Sequence, residues 1–589
     1  PALAERLRKS LDRHPEKARL EKLYMINGKP ESAQASAGEA IRSLRNPPNA
    51  APWAMWGWVG YRDPDFWMWL CLAEDALAWP DLPADQRAEI RLRLALFANL
   101  YTDPDAYAAG SGIHLGTPNM RVGRGIVGIY FASLLPDHPQ YRHWMTRYQA
   151  WMAYWLAANT TAGGAWFEPP TYQLYGPTRW LTTGQILLRN GGWGDLGKQG
   201  YHAAALTYDA NLTMPDPRFN GWRILPGMGN SGNTLEGIWG IGMGAVEQAD
   251  PEAAGFLSSV HRLASGNRRV CLGSEDPGYA FFFLPDVPEK PRALTTTYTP
   301  GYGVSFRAHS ASPDPAAASG TGETAMLFRC GYNRSHWDLD DQNVILYGKG
   351  APLSPGAAYQ YYFAVARQSG AIFNRCMPGS PTKTEPNGRV QTDVQDYGFG
   401  PSADFAAGRM YYAAGEFTDG KGEMEWRRHI LFLKSDRPAG ANYFVMRDTF
   451  TGYEGAPAKT GRPAWWTWLN LETADRVKVD GAAFATNQVA VDKLAAPEAM
   501  PSLSGRTVEM TTGFGASTWF WFDTPAPLNL KAVMTFTSDL SPNYHQRAYN
   551  DEFRKQGVMG VGEKETKTIF RAEGTTDDGF FYVVHPRKD

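Results

Sequence analysis

The stretch RSHWDLDDQNVILYGKG, residues 334–350, sets one imidazole and three carboxylates just ahead of a strand-like apolar run. His336, Asp338 and Asp340 alternate, so in an extended segment their side chains share one face. That arrangement suits a metal site or an orienting relay, and it equally suits a turn in which Asp338, Asp340 and Asp341 are solvated. A second concentration of polar groups lies in GGAWFEPPTYQLYG, residues 163–176, where Glu168 and the phenols of Tyr172 and Tyr175 crowd a Pro-rich helix entrance. The same residues also describe a helix start with aromatic packing. An imidazole titrates near ~6.5 and can act as a base or neutralise charge around neutral pH. A phenol, near ~10, reaches its anion only beside positive charge or hydrogen-bond donors. A third motif, VGRGIVG at 122–128, satisfies G-x-G-x-x-G through Gly123, Gly125 and Gly128. It has no preceding strand and no βαβ unit, so it reads as close helix packing and not as a dinucleotide site.

The elements that must position these groups change character along the chain. Residues 1 to about 270 carry apolar residues at three- and four-residue spacing in AERLRKSLDRHP, PADQRAEIRLRLALFANLYTD and PQYRHWMTRYQAWMAYWLAANTT. Many helices joined by Gly-, Pro- and Asn-rich turns predict helical hairpins wrapped into an incomplete (α/α) toroid over 1–270. Residues 271–300 read as a connection. From 301 to 589 short alternating runs such as GYGVSFRAHS, NVILYGKG, NYFVMRDTF, STWFWFD and GFFYVVHP predict a large antiparallel β-sandwich. The fold class expected is therefore α+β, in more than one domain.

Composition narrows the partners. Lys and Arg total 58 against 60 Asp and Glu, a net charge of −2, so no global field draws the chain to nucleic acid or to an anionic membrane. Four widely spaced cysteines form no C-x-x-C pair, which argues against a zinc ribbon, a dithiol redox motif or a disulfide framework. No run of about 18 apolar residues is present, so a soluble chain is expected. The first twenty residues are charged and not signal-like, and a cleaved leader would leave no trace. Aromatic residues make up 13% of the chain. Such rings suit a core, and they also suit sugar faces, whose C–H groups pack on π surfaces. The cluster APWAMWGWVGYRDPDFWMWL, residues 51–70, fits either use.

Taken together, these motifs resemble the heparinase II/III-like polysaccharide lyases, which join an incomplete α/α toroid to an antiparallel β-sandwich. Ser335, His336, Asp338 and Asp340, followed by NVILYGKGAPL, are similar to the family's S-H-x-H-x-D and K-G-x-P-L elements. NYFVMRDTFTG and WTWLNLE resemble later family strands, GGAWFEPPTYQLY resembles its G-x-x-x-E-x-x-P-x-Y element, and LPGMGNSGN stands where a G-D-S is usual. The resemblance runs from about 115 to 475. It implies a lyase that cleaves a uronate-containing glycan by β-elimination and leaves a 4,5-unsaturated uronate end. By the same resemblance, Asn119 is the amide that binds the substrate carboxylate and Tyr172, 53 residues on, the phenol that serves the leaving oxygen. Tyr175 is the reserve phenol, His336 the base or second carboxylate neutraliser, and Glu168 an orienting carboxylate. Arg121, Arg124 and Arg179 would supply cationic contacts to an acidic polymer, with Trp166, Trp337 and Asn230 as further binding residues.

This chain also departs from the family. Asp338 replaces the second histidine, LSPGAAY offers no aspartate after the K-G-x-P-L strand, and only Phe373 and Asn374 approach the H-N-T segment. The family's zinc sphere is thus incomplete, and the expectation is that no cofactor is required, with an oxygen-ligated divalent cation near Asp338 and Asp340 as the remaining possibility. The expected partner is an acidic polysaccharide, and the location implied by that function is periplasmic or secreted. Two other readings fit the same residues. One is an inverting glycoside hydrolase on a helical toroid, with Glu168 as acid and Asp338 activating water. The other is a glycan-binding protein without catalysis.

Overall fold

The computed structural model describes residues 23–45, 64–102, 128–173, 179–194, 200–216, 223–228, 246–265, 287–310, 322–331, 337, 341–354, 376–377, 391–412, 424–452, 464–470, 477–484, 487–488, 502–512, 514–523, 528–536, 566–573 and 580–588. Helices occupy the first part of the chain and antiparallel sheets the second, an α+β architecture. Among the described residues no helix is long and apolar enough to cross a membrane.

The helical part follows its apolar spacing. Helix Tyr141–Asn159 buries Trp144, Tyr148, Met152 and Trp155, a stripe at intervals of four, four and three. Helix Pro30–Arg45 begins with proline, carries Glu31 in its first turn and Arg42 and Arg45 in its last, and buries Ala33, Ala37, Ala40 and Leu44. These small residues let it lie close to its neighbour, helix Pro64–Leu77. Asp75 of that neighbour is fully buried; it accepts Ser36 Oγ at 2.7 Å and the amides of Tyr24 and Met25 at 3.0 and 2.9 Å. It thereby satisfies otherwise orphaned donors at the start of helix Tyr24–Asn27. The glycine motif ends in such a contact: a Cβ at Gly128 would lie 1.7 Å from Tyr148 Oη. Its other two glycines, Gly123 and Gly125, lie outside the described residues.

In the second part the sheets stack in layers. A five-stranded sheet contains Gly303–Ala308, Thr324–Arg329 and Val344–Gly348, and every residue of those three strands is buried. The reason is that both its faces are covered. On one side Val304, Phe306, Phe328 and Leu346 share a core with Phe432, Phe444 and Phe520 of a nine-stranded sheet. On the other, Ala325, Leu327, Ile345 and Tyr347 share a core with Leu206, Tyr208, Leu257 and Met228 of the helical part. The order is helices, five-stranded sheet, nine-stranded sheet, solvent. A further six-stranded sheet includes Ala464–Asn470, Leu528–Phe536 and Thr566–Glu573, and contains a parallel pairing between Asn487–Gln488 and Leu528–Phe536. Strands Gln391–Phe399 and Thr566–Glu573 are additions to the runs expected from sequence.

Candidate functional site

The polar groups singled out from sequence gather, where they are described, at the seam between the helices and the five-stranded sheet. The helical wall is the segment 160–173. Thr160 and Trp166 form an isolated bridge, and the chain between them turns through Gly164 at φ +89°. A Cβ on Gly164 would lie 2.1 Å from the carbonyl oxygen of Ala204, so only glycine lets this turn rest on helix Tyr201–Asn211. Gln173 ties the far end back: its Oε1 accepts the Trp166 amide at 2.9 Å and its Nε2 donates to Gly164 O at 3.0 Å and Ala205 O at 3.2 Å. The expected helix entrance forms as one short turn, Pro170–Gln173. On this knotted frame Glu168 is fully buried and accepts the Trp166 indole N–H at 3.0 Å. Tyr172 is half-buried, one residue before the knot closes at Gln173.

The sheet wall meets this frame at Gly163, where a Cβ would lie 2.9 Å from Thr299 Cγ2, and through a hydrogen bond from Trp337. Trp337 is 5% exposed and donates its indole N–H to Phe167 O at 2.8 Å, across 170 positions of sequence. Behind the ring, the Arg329 guanidinium lies 4.1 Å from its centroid and also donates to Tyr302 O at 3.1 Å. Tyr302 and Tyr208 continue the aromatic file, with centroids 6.4 Å from Trp337 and 5.5 Å from one another's ring respectively. Beyond position 340 the chain is tied in the opposite direction. Asp341 is buried beside Thr392, whose Oγ1 lies 3.1 Å from Asp341 Oδ1. Gln342, at φ +58°, donates to Trp426 O at 2.9 Å and accepts from Arg428 at 2.6 Å through its carbonyl. Arg428 is in turn held by Asp448 at 2.7 Å. Asp341 therefore does not solvate a loop, as its sequence allowed; it is tied to strand Gln391–Phe399.

Below this contact the two parts are joined by buried charge. Glu323 accepts Arg223 Nη1 and Nη2 at 2.8 and 3.0 Å and Arg307 Nη1 at 2.6 Å. Both arginines also bind carbonyls of the helical part, Arg223 at Thr213 O (2.8 Å) and Arg307 at Thr213 O (2.9 Å) and at Asn211 O. The two guanidiniums hold the Glu323 carboxyl below the usual glutamate range despite its burial, whereas burial brings Arg307 down to about 10. Tyr347 Oη reaches Asp216 at 3.2 Å. Two neighbouring residues carried no signal in the sequence. Asp209 is fully buried with neither carboxylate oxygen hydrogen-bonded, and burial raises its pKa well above the usual range. Tyr208, beside it, is raised by burial first and then by Tyr302 and Asp209.

Of the residues expected at the site, Glu168, Trp166, Tyr172 and Trp337 are described and share this seam. Arg179 is the first residue of helix Arg179–Asn190, and only its backbone is described. Asn119, Arg121, Arg124, Tyr175, Asn230, His336, Asp338 and Asp340 lie outside the described residues, as do Phe373 and Asn374. Among the described residues, no group of three or more His, Cys, Asp or Glu side chains could hold a metal ion.

No protein-family model matches the chain, and no curated protein matches it in sequence. In three dimensions it is similar to a heparinase III, with a TM-score of 0.59 and 13% identity over 96% of this chain and 76% of that one. A second heparinase III matches with a TM-score of 0.56, 10% identity and coverage of 96% and 74%. Heparan sulfate lyase HepC from Pedobacter heparinus gives 0.54, 12%, 96% and 74%. At these identities the likeness establishes the fold, which is that of heparinase III.

Proposed function

We propose that the chain is a polysaccharide lyase that breaks a uronate-containing glycan by β-elimination at the seam. One observation carries this reading: the indole of Trp337, next in sequence to His336, is bonded to Phe167, next in sequence to Glu168 and five residues before Tyr172. That contact between Trp337 of the sheet part and Phe167 of the helical part, in a chain with the heparinase III fold, supports reading His336 and Tyr172 as members of one site.

The chemistry asks for three functions. The C5 proton of a uronate is a very weak acid, so negative charge must spread into the carboxylate as the proton leaves; Asn119 is the neutral amide we assign to that carboxylate, helped by Arg121, Arg124 and Arg179. His336 takes the C5 proton or shares the neutralisation, and Tyr172 gives a proton to the leaving oxygen as the C4–O bond breaks and the C4–C5 double bond forms. Tyr175 is the alternative phenol. Buried Glu168, Trp166 and Trp337 act through position, by fixing the frame that carries Tyr172, in place of the direct sugar contact first expected of the two rings. No step is assigned to a metal. The reading implies an acidic polysaccharide as partner and a periplasmic or secreted location.

The test is a panel of uronate polysaccharides read by ultraviolet absorbance and product mass. Tyr172→Phe should lose the absorbance of the unsaturated end while keeping its fold. Saturated products would instead identify a hydrolase, and retention of polymer without cleavage would identify a binding protein.

A further inference from the structure

The outer face of the nine-stranded sheet is not the polar surface that a solvent-facing sheet ordinarily shows. Strand Ala516–Phe522 alternates from Thr518 onward: Thr518, Phe520 and Phe522 are buried, while Trp519 and Trp521 face out, 42% and 44% exposed. On the next strand, Phe580–Lys588, Phe581 is 38% exposed on the same face. Register sets Trp521 opposite Val583 and Trp519 opposite His585. Tyr443, one strand further, lies against the His585 ring with centroids 4.3 Å apart. The result is a flat band of rings across three strands, and a contiguous exposed apolar band of this kind marks a binding surface.

Charge identifies what would lie on it. The Arg587 guanidinium is placed 4.3 Å over the Trp519 ring, and Arg447 lies directly opposite Phe581 in the ladder. Neither arginine has a carboxylate partner among the described residues, whereas Arg427 on the same face is neutralised by Glu425. His585 is pushed down to about 4 by burial and by the cations Arg587 and Lys349, so at neutral pH it is an uncharged imidazole able to bond hydroxyls. Two acids border the band: Glu509, directly opposite Trp519 in the adjoining ladder, lies 3.8 Å from the Lys478 ammonium, and Asp523 is opposite Phe581 at the rim. Rings for sugar faces, with two unpaired guanidiniums beside them, complement a glycan that carries negative charge. A second copy of the chain is a poorer fit, because a two-fold contact would set the arginine-flanked band against itself.

We propose that this outer face is a second glycan-binding surface, where an anionic polysaccharide lies along Trp519, Trp521 and Phe581 with its charges met by Arg447 and Arg587. It takes its choice of polymer from the proposed function and stands apart from the seam, from which the thickness of two sheet layers, roughly 20 Å, separates it. Its role is to tether the polymer and raise its local concentration, without touching the reacting bond.

The experiment is affinity electrophoresis in gels containing heparan sulfate, alginate or a neutral glucan, in the Tyr172→Phe background so that polymer survives. Trp519→Ala/Trp521→Ala should weaken retardation by at least tenfold in one of the anionic gels, with added salt weakening the parent protein too and the neutral gel giving none. In the otherwise unaltered enzyme the same pair should raise KM for polymer and leave turnover of short oligosaccharides unchanged. Arg447→Gln/Arg587→Gln keeps the rings and serves as the second test should the tryptophan pair fold poorly. Retardation that neither pair alters, or no retardation of the parent in either anionic gel, overturns the proposal. So does a parent that sediments as a dimer when the tryptophan pair is monomeric. Lost retardation with no polymer cleaved leaves this surface standing and removes the lyase reading; intact cleavage with unaltered retardation does the reverse.

Discussion

Glu323 offers the sharpest test of how the two parts of the chain are held. Its side chain is 3% exposed, and those of Arg223 and Arg307 are 4% and 0% exposed, so among the described residues this carboxylate alone compensates two buried cations. Glu323→Ala removes the two oxygens that accept three N–H bonds and leaves both guanidiniums without a counter-ion among the described residues. Breaking a buried pair in this way costs about 3–5 kcal/mol, far more than loss of an exposed ion pair at about 0–1 kcal/mol. Glu323→Gln keeps one acceptor and loses the charge, so it should fall between. The sign with pH follows from the lowered folded pKa. The carboxylate's contribution is present above the ordinary glutamate value, about 4.3, and is lost as pH falls through the folded value. The gap between parent and Gln variant should thus be full at pH 7 and close on acidification below about 4. Urea unfolding, followed by circular dichroism and tryptophan fluorescence, measures it, and both probes should shift because the triad joins helices to sheet. An Ala variant with the parent's midpoint at pH 7, or a gap that persists in acid, would refute the argument.

Two further substitutions probe the same seam. Asp209→Asn should stabilise the fold at pH 7–8, because burial raises the carboxyl's pKa and the folded chain resists ionising it. The stability of the protonated acid is complete below the unfolded value of about 3.9 and declines as pH rises toward the folded one, so the benefit should vanish in thermal melts near pH 4. Gly164→Ala combines a left-handed φ of +89° with a backbone clash and should destabilise by about 2 kcal/mol or more, read as a lower unfolding midpoint together with lost activity as the Glu168 frame shifts.

Much of this was legible locally. Helices Ala84–Thr102 and Tyr141–Asn159 coincide with their apolar spacing, and strands such as Ala516–Phe522 and Tyr443–Gly452 with their alternation. Strand Gln391–Phe399 was not, because QTDVQDYGF sits at a sheet edge, largely exposed, where no apolar alternation is imposed. Partners distant in sequence were equally invisible. Nothing near Asp341 says that Thr392 will lie beside it, and nothing in TYDANL says that Asp209 will be buried without a donor. Local pattern reports which face a residue takes; it does not report what another segment brings to that face.

Three buried carboxyls at the seam show why that distinction matters for function. Glu323 is saturated by two arginines and serves to lock the parts together. The Asp209 side chain has no hydrogen-bonding partner among the described residues, and burial raises its pKa well above the usual range. Glu168 has the Trp166 indole as a donor and stands on the frame that carries Tyr172. Among the described residues, the lock holds three buried charges, while the wall near Tyr172 is built from two indoles, the Gln173 amide and the acid Glu168, with the Arg329 guanidinium behind the Trp337 ring. A wall of that kind leaves the charge of an incoming uronate to be met by residues brought there for the purpose, which is why neutralisation by Asn119, His336 and the arginines is the part of the proposed reaction most exposed to disproof. If Asn119→Ala and His336→Ala each left cleavage of every uronate polymer intact, a frame of this composition would have no means of stabilising the carbanion, and the seam would have to be read as structure alone.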